Sequence, residues 1–260
     1  MNTTYSHEYL LNFAVKAGEL MLKSGAETYR VEDTITRILQ AHHYRFVDTF
    51  VIPTGIIVTI DDPDFSICTK VCRVKNRSIR LDRIELINQL SRDYVLGSIS
   101  FDEASHQLTQ IENMTTYSPL VVILWLGISS SFFAIMFKGN FLDFLLTFPI
   151  GILIGTIHHT LRKKYIVSYF VLFICSLFIG FSVMGCYYIL GDRIHIEPIV
   201  TGCIFPLLPG VAFTNAVRDA IGDELLSGIS RGVEALLIAI SLAAGIGISL
   251  SIGFKIGGLL

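Results

Sequence analysis

The densest grouping of side chains able to bind an ion follows a pair of prolines. Residues 205–210 read Phe205-Pro206-Leu207-Leu208-Pro209-Gly210, and Val211, Thr214, Asn215, Arg218 and Asp219 follow within ten residues of Pro209. Proline deletes a backbone donor and glycine loosens the joint, so a helix entering this segment stops and restarts. With the restart at Val211, positions 211, 214, 215, 218 and 219 share one helix face. The first turn of the new helix presents unpaired N–H groups and a positive dipole end. A carboxylate is the ligand that suits such an end, with Asn215 and Arg218 as polar partners. The expected binding set is therefore Pro209, Gly210, Val211, Thr214, Asn215, Arg218 and Asp219. A kinked helix whose freed carbonyls are met by neighbours explains the prolines alone equally well; the polar residues after them favour a site.

The other reactive groupings are weaker. Ser24, Gly25, Glu27, Arg30 and Glu32 lie close in sequence, but a serine beside a glutamate without a positioned base is not a nucleophile system. An N-capping serine and a solvated helix face account for them, and their role, like that of Pro53-Thr54-Gly55, is left open. Glu234 follows Arg231 by three residues, as an interfacial ion pair or a proton carrier. His158 and His159 point about 100° apart on a helix, so they mark a water interface or a proton relay and do not share a metal. No Gly-x4-Gly-Lys-Ser/Thr loop occurs. Cys68 and Cys72 share a strand face, and Cys175, Cys186 and Cys203 fall in apolar runs as small hydrophobes. No disulfide framework, metal, cofactor or enzymatic activity is expected.

The elements that must position these residues belong mostly to a bilayer. The chain is 52% hydrophobic and 16% charged over 260 residues, with mean hydropathy +0.61, against about 25% charged in an ordinary soluble domain. Of 20 Lys/Arg and 22 Asp/Glu, the first 118 residues hold 12 and 15. That asymmetry reads as a cytosolic α+β domain, 1–118, before an α-helical membrane domain, 119–260. The net charge of −2 removes nucleic acid as a partner, since phosphate binding needs a basic face. Five uncharged stretches approach the roughly 20 residues a span requires: 119–137, 144–161, 165–191, 198–217 and 235–254. Residues 1–12 lack a basic n-region, so the front domain is expected in the cytoplasm, and Arg162, Lys163, Lys164, Arg218 and Arg231 then lie on the cytoplasmic side of the cell membrane.

Small residues at Ala235, Ala239, Ala243, Gly247 and Ser251, and at Gly151 and Gly155, are expected on faces buried in protein, within the bundle or in a homo-oligomer. In the front domain, apolar spacing predicts a helix over 9–21 and another from about 27. Strand-like runs cover 46–52, 56–60 and 65–74, a small antiparallel sheet. Helices follow near 81–96 and 101–114, the last opened by the capping box Ser100-Phe101-Asp102-Glu103, with Gly97 ending the one before.

Three pieces in this order resemble the threonine/serine exporter family: Ser24-Gly25-Ala26-Glu27-Thr28-Tyr29-Arg30-Val31-Glu32-Asp33, then Pro53-Thr54-Gly55-Ile56, then Pro206-Leu207-Leu208-Pro209-Gly210-Val211-Ala212 running into Thr214-Asn215-Ala216-Val217-Arg218-Asp219. The resemblance covers nearly the whole chain and implies a secondary exporter of small carboxylate metabolites. Members of the long type carry a second hydrophobic half. This chain looks like the split version, similar to the subunit that works with a separate small multispanning protein in dicarboxylate (succinate) export. An odd span count agrees, since it would insert an equivalent following half inverted. The competing expectation is a membrane-anchored sensor or scaffold, whose anchor would not need a proline-broken span. An intramembrane hydrolase lacks a nucleophile paired with a base inside the spans.

Overall fold

The computed structural model describes residues 6–63, 65–75, 77–115, 117–164 and 166–257; Tyr165, where the third span was expected to begin, lies outside them. It forms two compact units that interleave in sequence: 1–115 with 210–233, and 116–209 with 234–260.

The first unit opens with α1 (His7–Lys23) and α2 (Thr28–Gln40). The apolar spacing puts Leu10, Phe13, Ala14, Ala17, Leu20 and Met21 in the core, and Val31, Ile35 and Ile38 face them. Gly18 lets the two helices approach closely, for a Cβ there would meet Ile35 at 2.4 Å. Strands β1 (Phe46–Ile52), β2 (Gly55–Asp62) and β3 (Phe65–Arg73) form one antiparallel sheet in sequence order. Ile52 pairs with Gly55, so Pro53 and Thr54 are the hairpin turn. Alternation sends Val51, Ile56, Val58 and Ile60 inward, with Cys68 and Cys72 against the same core. Helices α3 (Leu81–Val95) and α4 (Phe101–Glu112) complete the wall. The Ser100 hydroxyl accepts the Glu103 N–H, and Gly97 stops α3 at φ 72°.

The second unit holds α5 (Pro119–Met136), α6 (Phe141–Arg162), α7 (Ser168–Leu190) and α8 (Ile196–Ile204). Helix α9 (Gly210–Ile221) belongs to the first unit, and α10 (Leu225–Ile256) runs through both. Among the described residues, four helices, α5, α6, α7 and α10, are long and apolar enough to cross a membrane. A fifth span results only if the pair interrupted at Leu208-Pro209 counts as one.

Several expectations change at this level. Helix α6 begins before 144 because Asp143 is its capping acid: Asn140 and Asp143 bond reciprocally, the carboxylate taking the Asn140 N–H at 2.8 Å. Helix α10 begins ten residues before the uncharged run, because Arg231 and Glu234 fit a helix as well as any residue. Its small-residue stripe at 239, 243, 247 and 251 is exposed on this chain, whereas Ala235 is buried. The face that packs on α7 is instead the one carrying Gly245, Ser249 and Gly253, where added Cβ atoms or their partners would collide with Ser176, Gly180 and Met184. Gly151 and Gly155 do pack within the chain, against Gly127 and Ile123 of α5.

Candidate functional site

The corner between α1 and α2 is built by its backbone. Gly25 adopts φ +90°, the Gly25 N–H bonds Leu22 O at 3.2 Å, and the Ala26 N–H bonds Met21 O at 3.1 Å. This pair of bonds is a Schellman cap, which favours glycine because other residues strain at positive φ. Ser24 is thus the C-cap of α1, not an N-cap; the N-cap of α2 is Glu27, whose carboxylate caps no helix amide. Freed from capping, the Glu27 carboxylate and the carbonyls of Gly25 and Ala26 are available to another element.

That element is α9 with the start of α10, all within the first unit. Asn215 Nδ2 donates to Gly25 O at 2.8 Å, and Arg218 Nη1 donates to Glu27 Oε1 at 2.6 Å. Asp219 Oδ1 accepts the Thr28 N–H at 3.3 Å and the Thr28 hydroxyl at 3.2 Å. Arg231 Nη2 donates to Ala26 O at 2.6 Å, and its Nε lies 3.0 Å from Asp219 Oδ2. Asp219 is 0% exposed and Arg231 5%. A buried charge persists only when it is paired and hydrogen-bonded, and these two supply each other's counter-charge.

Beside this clamp lies a cavity of about 360 Å³, lined by Gly25, Glu27 and Arg30 of the corner, Leu81, Ile84, Glu85, Asn88 and Arg92 of α3, and Val211, Asn215 and Arg218 of α9. Its volume is at the small end of ligand sites, suited to a metabolite of a few heavy atoms. Glu27 stands between two guanidinium groups: Oε1 meets Arg218, and Oε2 lies 3.3 Å from Arg30 Nη1. Burial acts to raise the Glu27 carboxyl, but its own backbone N–H, Arg218 and Arg30 together outweigh burial and hold it below the ordinary glutamate value. One carboxylate thus serves two cations, and each guanidinium keeps further N–H donors for an incoming carboxylate.

Of the candidates drawn from the α9 segment, Val211, Asn215 and Arg218 line the cavity. Asp219 is consumed by the clamp, Thr214 is exposed outside the lining, and Pro209 and Gly210 form the break without lining it. The helix restarts at Gly210, one residue earlier than expected. Of the front motif, Gly25, Glu27 and Arg30 join the cavity, and Ser24 is buried in the corner outside the lining. Glu32 is elsewhere, its Oε1 accepting the Val51 N–H at 2.7 Å. Burial, reinforced by the Glu224 and Asp48 carboxylates, raises the Glu32 carboxyl against that hydrogen bond. Pro53, Thr54 and Gly55 make the hairpin turn, and His158 and Glu234 lie in the second unit. The residues sequence reasoning missed are those of α3. Leu81, Glu85, Asn88 and Arg92 recur at helical spacing, but nothing in the sequence marks that face as different from any solvated one.

The chain matches the family described as "Putative threonine/serine exporter" over residues 12–253. It is 23% identical over 250 residues to the "Probable threonine/serine exporter" of Mycobacterium tuberculosis, covering 93% of this chain and 46% of that protein. It is 21% identical over 243 residues to an uncharacterized protein of Schizosaccharomyces pombe, covering 91% of this chain and 32% of that one. The chain therefore spans less than half the length of either relative. No solved structure matches it. The match takes in both parts of the clamp and reaches into α10 as far as residue 253, and the chain belongs to the threonine/serine exporter family.

Proposed function

We propose that this chain exports small carboxylate-bearing metabolites, threonine or serine or a dicarboxylate such as succinate, across the cell membrane. Residues 1–118 lie in the cytoplasm, residues 119–260 form the membrane domain, and the cavity accepts the substrate from the cytosolic side. The observation that carries this reading is the placement of Arg30 and Arg218 around the single carboxylate of Glu27 at a small cavity, in a multi-pass chain of an exporter family. Spare guanidinium donors are the groups that recognise a carboxylate. Arg218 is one of the polar partners the sequence reading gave to the helix end, and Arg30 joins it from the α1–α2 corner. A second, small multispanning membrane subunit completes the path: with the interrupted pair counted as one span the chain has five, and an odd number is complemented by an inverted partner half.

The test is metabolite efflux from cells loaded with threonine, serine or succinate, expressing this chain alone and with candidate partner subunits. Efflux above that of empty cells, lost in Arg218→Ala at equal membrane abundance, is the expected result. Absence of efflux in every combination removes the exporter reading.

One observation favours a second reading, a ligand sensor anchored in the membrane: every residue lining the cavity lies in the first unit. A sensor tolerates polyleucine in place of residues 196–204, whereas an exporter carrying that change stops transporting.

A further inference from the structure

The cavity carries five charged side chains, and their partners differ. Glu27 is shared between Arg218 and Arg30. Arg92 is turned along its own helix, its Nη2 donating to Gln89 Oε1 at 2.7 Å, while Gln89 Nε2 donates to both oxygens of Asp93 at 2.9 and 3.1 Å. Glu85, exposed on the α3 wall of the cavity, has no hydrogen bond or ion pair among the described residues. Asn88, one turn further along the same face, offers an amide whose side chain bonds no described residue. Two poles result: cationic where Arg30 and Arg218 flank Glu27, and anionic at Glu85, which the lining draws from a different element, α3.

We infer that Glu85 is the specificity-determining residue of this cavity, drawing the cationic group of a zwitterionic ligand and turning away a second carboxylate. The inference rests on the cavity being the substrate site of the proposed exporter. A ligand carboxylate held by Arg30 and Arg218 leaves its other end facing α3, where an ammonium gains an ion pair and a carboxylate meets like charge. The remaining cation of the lining is Arg92, on the same helix as Glu85, with one of its donors already given to Gln89. Two effects act on the ratio of the two substrates, an ion pair gained by the ammonium and a repulsion met by the carboxylate, and at an exposed side chain together they are worth about a factor of ten.

The experiment is the serine-to-succinate efflux ratio of Glu85→Gln, Glu85→Asp and Glu85→Lys in cells where the unaltered protein exports, at equal membrane abundance. The expected result is a ratio about tenfold lower in Glu85→Gln, lower still in Glu85→Lys, and near its original value in Glu85→Asp. A purely structural role for Glu85 scales both substrates together and leaves the ratio fixed. An unchanged ratio in Glu85→Gln with efflux intact overturns the inference and leaves the exporter reading standing. No efflux of either compound from the unaltered protein overturns the exporter reading and this inference with it.

Discussion

Arg218 Nη1 lies 2.6 Å from Glu27 Oε1, joining residues 191 positions apart in the chain. Glu27 is almost fully buried while the Arg218 side chain is more than half exposed, so the two ends of the bond differ in worth. Glu27→Gln keeps the shape but leaves two guanidinium groups without their shared counter-charge. It should lower the stability of the first unit by about 1.5–3 kcal/mol, the value of a hydrogen bond to a charged group. Arg218→Met should cost less, because solvent already screens that end. Amide hydrogen exchange over residues 24–30 measures both, and equal protection in Glu27→Gln and the unaltered chain would count against the bond.

The Asp219–Arg231 pair is a stricter case, since both partners are buried. Arg231→Met alone strands the Asp219 carboxylate and should cost about 3–5 kcal/mol. The double variant Asp219→Asn with Arg231→Met should recover a substantial part of that loss, because no charge is left buried. Thermal loss of monodisperse detergent-purified protein, read as a double-mutant cycle, gives the coupling. Additive losses would contradict the pairing.

The pH response of the corner follows from Glu27. Its folded carboxyl is held below the ordinary value, so the folded state binds fewer protons than the unfolded one just below that value. The stability it adds is full above the unfolded glutamate range, near about 4.3, and is lost as pH falls through the lower folded value. Exchange protection at residues 24–30 should hold constant from pH 7 to 5 and decline only on further acidification. Decline between pH 7 and 6 would exclude Glu27 as the titrating group.

Glu32 has the opposite sign. Its carboxyl is raised in the fold, so its ionised form opposes folding as pH climbs through that raised value. Glu32→Gln keeps a carbonyl oxygen for the Val51 N–H and removes the charge; it should leave stability at pH 7 unchanged or higher. Glu32→Ala orphans a donor on a fully buried strand residue and should lower stability by about 1–3 kcal/mol. Denaturation midpoints that fall equally for Gln and Ala would place the importance of Glu32 in its charge.

Much of this architecture is legible in the residues. Period 3.6 along 9–21 and period 2 along 46–60 were sufficient to find α1 and the hairpin, because burial on one face leaves that imprint whatever the partner. The proline break at Pro206 and Pro209 was equally plain. The fate of the polar face after it was not. Asn215, Arg218 and Asp219 look like ligand-binding groups from sequence, yet Asn215 and Asp219 are hydrogen-bonded to the α1–α2 corner, a contact across about 190 residues that no local pattern encodes. The uncharged run over 198–217 carries no mark of this contact. Hydropathy registers that α9 is apolar on one side and is silent on its first-unit partner. The α3 wall escaped notice for the converse reason, since Glu85 and Arg92 sit in an ordinary amphipathic helix.

The Schellman corner at Gly25 has a bearing on how such a chain can change over time. Asn215 and Arg231 bond the carbonyls of Gly25 and Ala26, and Asp219 accepts the amide of Thr28. Carbonyls and amides are common to nearly all residue types, so these three bonds depend on the course of the main chain and not on which side chains decorate it. Drift at the corner is tolerated as long as the turn keeps its path, and Gly25 is the position that holds the path. Gly25→Ala, which alters no bonding group, should therefore disturb the clamp more than a change of similar size at exposed Tyr29.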